Sequence, residues 1–298
     1  MKAPKPATAI ISDILPYTTP STLQGIEILL MTADVAAKSF STNQRNHDDA
    51  FGFLVVLKGS MVFDVDFEPQ SSEAGMGFIL RPSQAYRFVR CTPDLKVIAF
   101  RVRANMIPPQ VVARMNYLLL DDSAFPVSKA KIDEISEIFR LLVERVDSPA
   151  PGEWLGTAAS IAVTIASIIT EALENRTHER YAQSQLANLP VLVKLHTYFE
   201  NHLGQSRLPS HYAELMGITP SYLNELVKSV VGVNVSLYVR NEAMRIIRRR
   251  LVLTNESIHN IACSLGYDDP AYLSRVFTKM QGMTPTQFRA KYSSPFYC

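Results

Sequence analysis

The sequence predicts an α+β protein with two parts, a β-rich N-terminal domain followed by helices and an all-helical C-terminal domain. Three observations lead to this prediction. Short runs of β-forming residues separated by turn residues occupy positions 26–105, helical periodicity follows Pro108 and Pro109, and an internal repeat occupies the last third of the chain. At 298 residues the chain is long enough for each part to bury its own core. We therefore place one domain at residues 1–184 and the other at residues 185–298.

The N-terminal domain is predicted from short strands that follow one another without helices between them. Such a succession favours a small barrel or a sandwich. The predicted strands are residues 53–57, 61–67, 77–80, 86–89 and 95–102. Residues 1–25 are rich in Pro and Thr and are interpreted as an arm.

Helices are predicted for residues 108–175. Apolar residues at helical spacing mark one helix from Ile132 to Val146, and a second begins near Trp154. No residue between Glu153 and Glu171 is charged, but Ser and Thr residues dilute this window, and a membrane span needs about 20 strongly apolar residues. We interpret this segment as a buried helix at a subunit contact and predict no membrane association. The polar residues 175–188 are the predicted linker.

Charge and cysteine content narrow the class of protein. The net charge is +2, yet residues 186–298 carry 12 Lys and Arg against 7 Asp and Glu, a net charge of +5. A basic domain joined to an acidic one is typical of a DNA-binding module attached to a domain with another role. Cys91, Cys263 and Cys298 are scattered and lack the spacing of metal ligands. They indicate reduced thiols in a cytoplasmic protein.

The C-terminal domain contains an internal repeat with an offset of 50 residues. The offset aligns identical or similar residues at positions 220–223 and 270–273, 226–227 and 276–277, Gly232 and Gly282, and, with one extra residue upstream in the second copy, Ala213 and Ala262, Gly217 and Gly266. Each copy predicts a short helix, a turn at glycine and a second helix that starts at a proline. This order is typical of a helix-turn-helix unit, so one chain would present two recognition helices to successive turns of DNA.

The outward face of each recognition helix provides the candidate DNA-binding residues. They are Ser221, Asn224, Glu225 and Lys228 in the first copy and Ala271, Ser274, Arg275 and Lys279 in the second, with Thr278 beside them. Glu225 can accept a hydrogen bond from cytosine but repels phosphate, whereas Arg275 can bind guanine through two hydrogen bonds. We therefore expect Arg275 to provide most of the direct base readout of the second copy.

Residues 208–292 resemble the DNA-binding domain of the AraC/XylS family of transcription regulators. The most specific matches are Leu265-Gly266-Tyr267, the run from Tyr272 to Phe277, Gly282-Met283-Thr284-Pro285 and Phe288-Arg289. The resemblance implies seven helices, with residues 191–203 as the first and residues 235–253 as a rod between the units. It also implies that the base-facing positions are Ser221, Asn224, Glu225, Ala271, Ser274 and Arg275.

The rod carries five arginines at positions 240, 245, 248, 249 and 250. Two interpretations stay open for them. They contact phosphates, or they form ion pairs within the chain on a solvated helix face.

The resemblance further implies what the N-terminal domain does. Members of the family often carry a cupin-like β-barrel, here residues 26–105, that binds an effector, and a helical segment that dimerises. The expected function is a sequence-specific, effector-controlled transcription regulator, with activation and repression both open. The expected partners are double-stranded promoter DNA, RNA polymerase, a small anionic effector and a second copy of the chain.

The candidate effector-binding residues are an aromatic and arginine-rich set. They are Phe78, Arg81, Tyr86, Arg87, Arg101 and Arg103. Arginines inside a small barrel favour an anionic or carboxylate ligand. The alternatives are that these arginines lie on the outer face and that the domain senses a partner protein.

Two enzyme classes are also considered. A metal-dependent cupin needs a His pair one residue apart, an acidic ligand and a later His, but the chain has His47 alone and Tyr86 at the later position. One imidazole cannot hold a catalytic metal. An alkyl-transfer repair protein needs an activated cysteine, and we expect no cysteine with a neighbouring His or Pro in the required arrangement. We therefore predict no catalytic residue, no metal and no cofactor.

Overall fold

The computed structural model describes residues 21–23, 25–40, 49–82, 84–118, 124–146, 155–180, 185, 187–202, 208–267 and 269–293. The chain divides into two compact units, residues 1–179 and 180–298. The first unit combines strands and helices and the second is helical, so the predicted α+β class is confirmed.

The first unit contains nine strands and four α-helices within the described residues. The strands are β1 (Ser21–Leu23), β2 (Ile26–Thr32), β3 (Ala50–Lys58), β4 (Ser60–Val65), β5 (Glu68–Glu73), β6 (Met76–Leu80), β7 (Tyr86–Cys91), β8 (Lys96–Arg103) and β9 (Phe125–Pro126). The helices are α1 (Ala33–Phe40), α2 (Pro109–Leu118), α3 (Lys129–Val146) and α4 (Leu155–Arg180). All five predicted strands are present, and β1, β2, β5 and β9 are strands that the sequence did not predict.

The strands form two antiparallel sheets. The larger has the order β1-β2-β8-β3-β6-β9 and the smaller has the order β5-β4-β7. A cupin-like closed barrel remains a prediction. The predicted strand 61–67 is too long, since β4 ends at Val65 and the next two residues, Asp66 and Phe67, adopt positive φ angles of 49° and 70°. Such angles reverse the chain and begin the hairpin to β5.

The larger sheet buries both of its faces. One face packs against α3 and α4, where Phe100 stacks on Phe53 at 4.8 Å and lies 6.5 Å from Phe139 of α3. The other face packs on the smaller sheet through residues such as Leu54 and Phe63. Because both faces are apolar, β3 reads as a continuous apolar run without alternation.

Helix α4 is the uncharged helix that the sequence predicted as buried. Its segment Leu155–Thr177 has a mean hydropathy of 1.5 and is long and apolar enough to cross a membrane, although 44% of its most apolar window is buried inside the protein. Ala158, Ala162, Ile165 and Ile169 are fully buried in the core shared with the sheet. The helix continues through Arg180, so the first part of the predicted linker is helical instead.

The second unit contains seven helices within the described residues, as the resemblance implies. They are α5 (Leu189–His202), α6 (Pro209–Met216), α7 (Pro220–Val231), α8 (Val235–Leu253), α9 (Ile258–Ser264), α10 (Pro270–Gln281) and α11 (Pro285–Ser293). Helices α6 and α7 form the first predicted helix-turn-helix unit, and α9 and α10 form the second. Helix α8 joins the two units and contacts helices of both.

Candidate DNA-binding surface and ligand pocket

The turn between α6 and α7, in the first helix-turn-helix unit, is determined by residues close together in the chain. Gly217 ends α6 with a φ of 67°, a left-handed conformation that glycine adopts without strain. The Thr219 hydroxyl then accepts a hydrogen bond from the Tyr222 N–H at 3.2 Å. Pro220 occupies the first turn of α7, where its missing N–H leaves no bond unmade. These residues fix where recognition helix α7 starts.

The second helix-turn-helix unit, α9 and α10, has the same kind of turn with other side chains. Gly266 has a φ of 69°. The Asp269 carboxylate caps α10 by accepting a hydrogen bond from the Ala271 N–H at 2.8 Å, and Pro270 occupies the first turn. The predicted turn at glycine and helix start at proline are thus confirmed in both helix-turn-helix units.

Each recognition helix buries one face within its unit. The buried residues are Leu223, Leu226, Val227 and Val230 on α7, and Leu273 and Phe277 on α10. The alanines where the paired helices cross, Ala213 and Ala262, are fully buried. A larger side chain at either position would separate the helices, because a well-packed core has no room for it.

On the outward face of α7, Ser221, Glu225 and Lys228 are exposed. Asn224 is half-buried, and its side-chain oxygen accepts a hydrogen bond from the Val235 N–H at 3.2 Å. Val235 is the first residue of α8, so Asn224 satisfies one of the N–H groups that every helix start leaves without a partner. In this conformation the Asn224 side chain links α7 to the start of α8.

On the outward face of α10, Ala271, Arg275 and Lys279 are exposed. Ser274 is half-buried, and its hydroxyl donates to the Pro270 carbonyl at 3.0 Å. The Arg275 Nη2 atom lies 3.5 Å from Asp269 Oδ2, and 71% of the Arg275 side chain is exposed. An ion pair this open contributes little to stability and leaves the guanidinium available to DNA.

Two exposed tyrosines belong to this surface and were missed by the sequence analysis. Tyr222 and Tyr272 are 51% and 50% exposed and occupy equivalent positions of the repeat. Tyrosine combines a hydroxyl with a large apolar ring, which suits it to contacts with phosphate and sugar. The repeat itself carried the signal, since it aligns these two residues.

The rod arginines separate into different environments. Arg245 and Arg250 form ion pairs within the chain, with Glu242 at 2.7 Å and with Glu256, and Arg248 is buried. Arg240 is exposed. The ion-pair interpretation therefore holds for Arg245 and Arg250, and the phosphate interpretation remains for Arg240.

A buried network ties α8 to α5. Glu242 Oε2 lies 2.7 Å from Arg245 Nη2 and 3.3 Å from His196 Nδ1, and Arg245 Nη2 lies 3.2 Å from His196 Nε2. Since arginine can only donate, Nε2 accepts and the His196 proton sits on Nδ1. Burial alone would raise the pKa of Glu242, but the charge of Arg245 and the hydrogen bond from His196 outweigh it and hold that pKa well below its usual range.

A second network holds the other end of α8. Arg289 of α11 donates to the carbonyls of Leu251, at 2.7 Å, and Glu256. The Glu256 carboxylate accepts from Arg250, and this hydrogen bond lowers the pKa of Glu256. The end of α8, the loop that follows it and α11 are therefore joined at Glu256, whose carboxylate binds Arg250 and whose backbone carbonyl binds Arg289.

The N-terminal unit (residues 1–179) contains a pocket of about 100 Å³ in the space between the two sheets. Its lining includes Tyr86 and Arg101 from the candidate effector set, together with Glu27, Gly52 and apolar residues. The other candidates lie outside this lining. Phe78 is in the core between the sheets, Arg87 pairs with Asp64, Arg81 is half-buried and Arg103 is exposed.

The structure bears on the two enzyme classes through possible metal ligands and through the cysteines. Within the described residues no three His, Cys, Asp or Glu side chains come together as a metal site, and His47 lies outside those residues. Burial raises the pKa of the Cys91 thiol. One turn of α9 places the Cys263 Sγ 3.6 Å from His259 Nε2. That no cysteine stands in the arrangement of an alkyl-transfer protein stays a prediction.

In the comparison with known proteins, the family match lies in the C-terminal unit, residues 180–298. A helix-turn-helix domain family covers residues 212–291. The chain is 33% identical over 96 residues to the arabinose operon regulatory protein of Salmonella typhimurium, covering 31% of this chain and 34% of that protein. It is 30% identical over 114 residues to the uncharacterized transcriptional regulatory protein YesN of Bacillus subtilis, covering 37% and 31%.

Among solved structures, the chain resembles the C-terminal domain of AraT, a response regulator from Geobacillus stearothermophilus, with 29% identity and a TM-score of 0.33. This match covers 37% of the present chain and 91% of that structure. The chain spans about one third of the length of the curated relatives named above.

Proposed function

We propose that the whole protein is a sequence-specific transcription regulator whose C-terminal domain is a helix-turn-helix DNA-binding domain of the AraC type. Its direct partner is double-stranded promoter DNA. We propose RNA polymerase as the second partner, the cytoplasm as its location and no enzymatic activity of its own. We propose the same domain boundary as the sequence analysis, between residues 184 and 185.

One observation carries this proposal. Two recognition helices, α7 and α10, are built from the same caps and stops at an offset of 50 residues, and each exposes polar side chains on the face opposite its buried one. The proposed contacts are Ser221, Glu225, Lys228, Ala271, Ser274, Arg275 and Lys279. The sequence also predicts Asn224, but its hydrogen bond with the Val235 N–H favours a structural role for it. The net charge of +5 on residues 186–298 favours binding to a polyanion of any sequence, and the exposed faces add the means to select one.

We further propose that the N-terminal unit binds a small-molecule effector and that this binding controls the regulator. The pocket between the sheets supports a small ligand over a protein partner, since it is concave and mostly apolar with few polar groups. A homodimer is part of the same proposal. The candidate contacts between copies are the amphipathic helix α3, on which Leu141 is 39% exposed, and the uncharged helix α4.

The test of DNA recognition uses a fragment of residues 188–298 beside the full chain. Both are used to select binding sites from random duplexes, which are then sequenced. We expect the fragment to fold, to be helical by circular dichroism and to enrich a two-part site. A fragment that is soluble and helical but enriches no sequence would overturn the assignment of α7 and α10 as recognition helices.

The test of dimerisation uses light scattering of the N-terminal unit. We expect a dimer at tens of micromolar protein, a concentration range suited to interfaces of ordinary size. Leu141→Arg should convert that dimer to a monomer without unfolding it. A wild-type unit that is monomeric in this range would contradict the proposed dimer.

A further inference from the structure

The chemistry of the pocket begins with the register of the larger sheet. Glu27 of β2 pairs with Arg101 of β8, which pairs in turn with Gly52 of β3, and Gly52 pairs with Leu80 of β6. Side chains of directly paired residues share one face of a sheet. These four residues thus form a row across the pocket wall, with two opposite charges side by side and a glycine next to them.

The row two residues further along the strands is apolar. Leu29 pairs with Ala99, Ala99 with Leu54, and Leu54 with Phe78. Small residues stand next to each other in the two rows, since Gly52 and Ala99 lie on neighbouring strands. Gly52 lines the pocket without a side chain, and a Cβ atom there would crowd Leu80, since it would lie 3.3 Å from the Leu80 Cβ.

The facing wall comes from β7 of the smaller sheet. Tyr86 and Phe88 both line the pocket, with their rings in a T-shaped arrangement and the centroids 6.2 Å apart. An apolar group placed over Gly52 and Ala99 would meet these rings. The wall formed by the larger sheet and the facing wall formed by β7 therefore suit a flat or branched apolar group.

The charges set the other end of the ligand. Arg101 Nη1 lies 2.8 Å from Glu27 Oε2, and the two side chains are 21% and 41% exposed. Among the described residues that line the pocket, these two carry the formal charges, and the charges are opposite. A ligand with a carboxylate alone would pair with Arg101 but would leave Glu27 facing a second negative charge. A ligand with both charges satisfies both side chains.

We propose that this pocket binds a small zwitterionic ligand, one with a carboxylate for Arg101 and an amino group for Glu27 on an apolar body that occupies the space over Gly52 and Ala99. The proposal rests on the proposed function, because it names the class of the effector. It replaces the purely anionic effector that the arginine content of the sequence predicted.

Isothermal calorimetry on the full-length protein tests the proposal with three matched probes. L-phenylalanine carries both charges, 3-phenylpropionate lacks the amino group and 2-phenylethylamine lacks the carboxylate. We expect phenylalanine to bind about tenfold or more tightly than either analogue, the loss that follows when a charged group keeps no partner. Equal or tighter binding of 3-phenylpropionate would overturn the proposal, as would no binding of any probe at about 10 mM.

Glu27→Gln sharpens the test, because it removes one charge and keeps the shape of the side chain. The preference for phenylalanine over 3-phenylpropionate should fall by about tenfold in this variant. Glu73→Gln is the matched control, an exposed acid of β5 outside the pocket lining, and it should keep the preference. An unchanged preference in Glu27→Gln would also overturn the proposal.

Calorimetry needs no DNA, so its outcome is independent of the regulator assignment. Ligand selectivity without sequence-specific DNA binding would contradict the proposed function and leave the ligand class standing. Specific DNA binding without zwitterion selectivity would do the reverse.

Discussion

The two helix-turn-helix units share one construction and present different surfaces. Equivalent positions carry Glu225 on α7 and Arg275 on α10, so the outward face of the first unit is close to neutral and that of the second is cationic. Equivalent half-buried positions also differ, since Asn224 reaches across to α8 and Ser274 bonds within its own helix. The repeat conserves what sets the helix in place and varies what the helix offers to DNA. We therefore expect the second unit to contribute more of the binding free energy and the first unit to make fewer contacts with DNA.

The largest expected effect concerns how each unit is anchored to α8. Glu242→Gln removes the centre of the buried network with Arg245 and His196, and we expect it to lower the free energy of unfolding by about 3 kcal/mol. Glu256→Gln at the second unit should cost less, because 35% of the Glu256 side chain is exposed. Urea unfolding of the 188–298 fragment at pH 7 measures both.

The pH dependence follows from the lowered pKa of Glu242. A carboxyl with a depressed folded pKa stabilises the fold fully above its unfolded value, near 4.5, and loses that contribution as the pH falls through the folded value. The gap between wild type and Glu242→Gln should thus be constant above about pH 5 and shrink below pH 4. Equal losses for the Glu242 and Glu256 variants would show that the two anchors do not differ.

The second effect separates base readout in the two units. Arg275→Ala should weaken binding to the selected site by about ten- to a hundredfold and flatten preference at one base position, because a bidentate contact with guanine is lost. Glu225→Ala at the equivalent position should leave affinity for random DNA equal or slightly higher, since it removes a charge that repels phosphate. Competition binding with specific and random duplexes measures both. If Arg275→Ala weakens both kinds of duplex in equal proportion, Arg275 contacts the backbone and does not read bases.

A smaller effect distinguishes a structural role from a reading role. Asn224→Ala leaves the Val235 N–H without its partner and should lower the free energy of unfolding by about 1 kcal/mol, with no change in base preference. Ser274→Ala should change stability less, because its hydroxyl bonds to a carbonyl of its own helix. Chemical unfolding and site selection on the same two variants decide the matter. A changed base preference with unchanged stability would identify Asn224 as a base-reading residue.

The smallest effect concerns phosphate contacts. Lys279→Ala should weaken binding to all sequences alike and reduce the slope of log affinity against log salt by about one. Lys228→Ala should reduce that slope less, since Glu225 lies on the same face and already offsets its charge. Titrations at several salt concentrations give both slopes, and identical slopes would contradict the difference between the units.

The sequence predicted the features of this fold that depend on neighbours along the chain. The left-handed Gly217, the cap at Thr219 and the first-turn Pro220 act within a few residues, so their chemistry is visible in the sequence itself. Strand β5 was not predicted, because Glu68–Glu73 is polar and its place in the sheet comes from pairing with β4.

The candidate sites show the same division. The outward faces of α7 and α10 follow from helical periodicity, whereas the bond between Asn224 and Val235 joins two helices and has no local signal. In the N-terminal unit, arginine content predicted a cationic pocket for an anionic ligand. The partner that neutralises Arg101 is Glu27, which is 74 residues away in the chain and adjacent in the sheet. The residue type predicted the positive charge of Arg101, whereas the negative charge of Glu27 beside it follows only from the pairing of β2 with β8.

Helix α8 imposes a constraint of a different kind on this domain. It is 19 residues long and continuous, and each residue of an α-helix turns the chain by about 100°. An inserted or deleted residue would therefore swing one unit off the DNA face that the other occupies, and no side-chain change could restore the alignment. The domain can exchange one preferred base for another in single steps on α7 or α10. The distance between its two half-sites on DNA is set by the length of α8 and cannot be adjusted in such single steps.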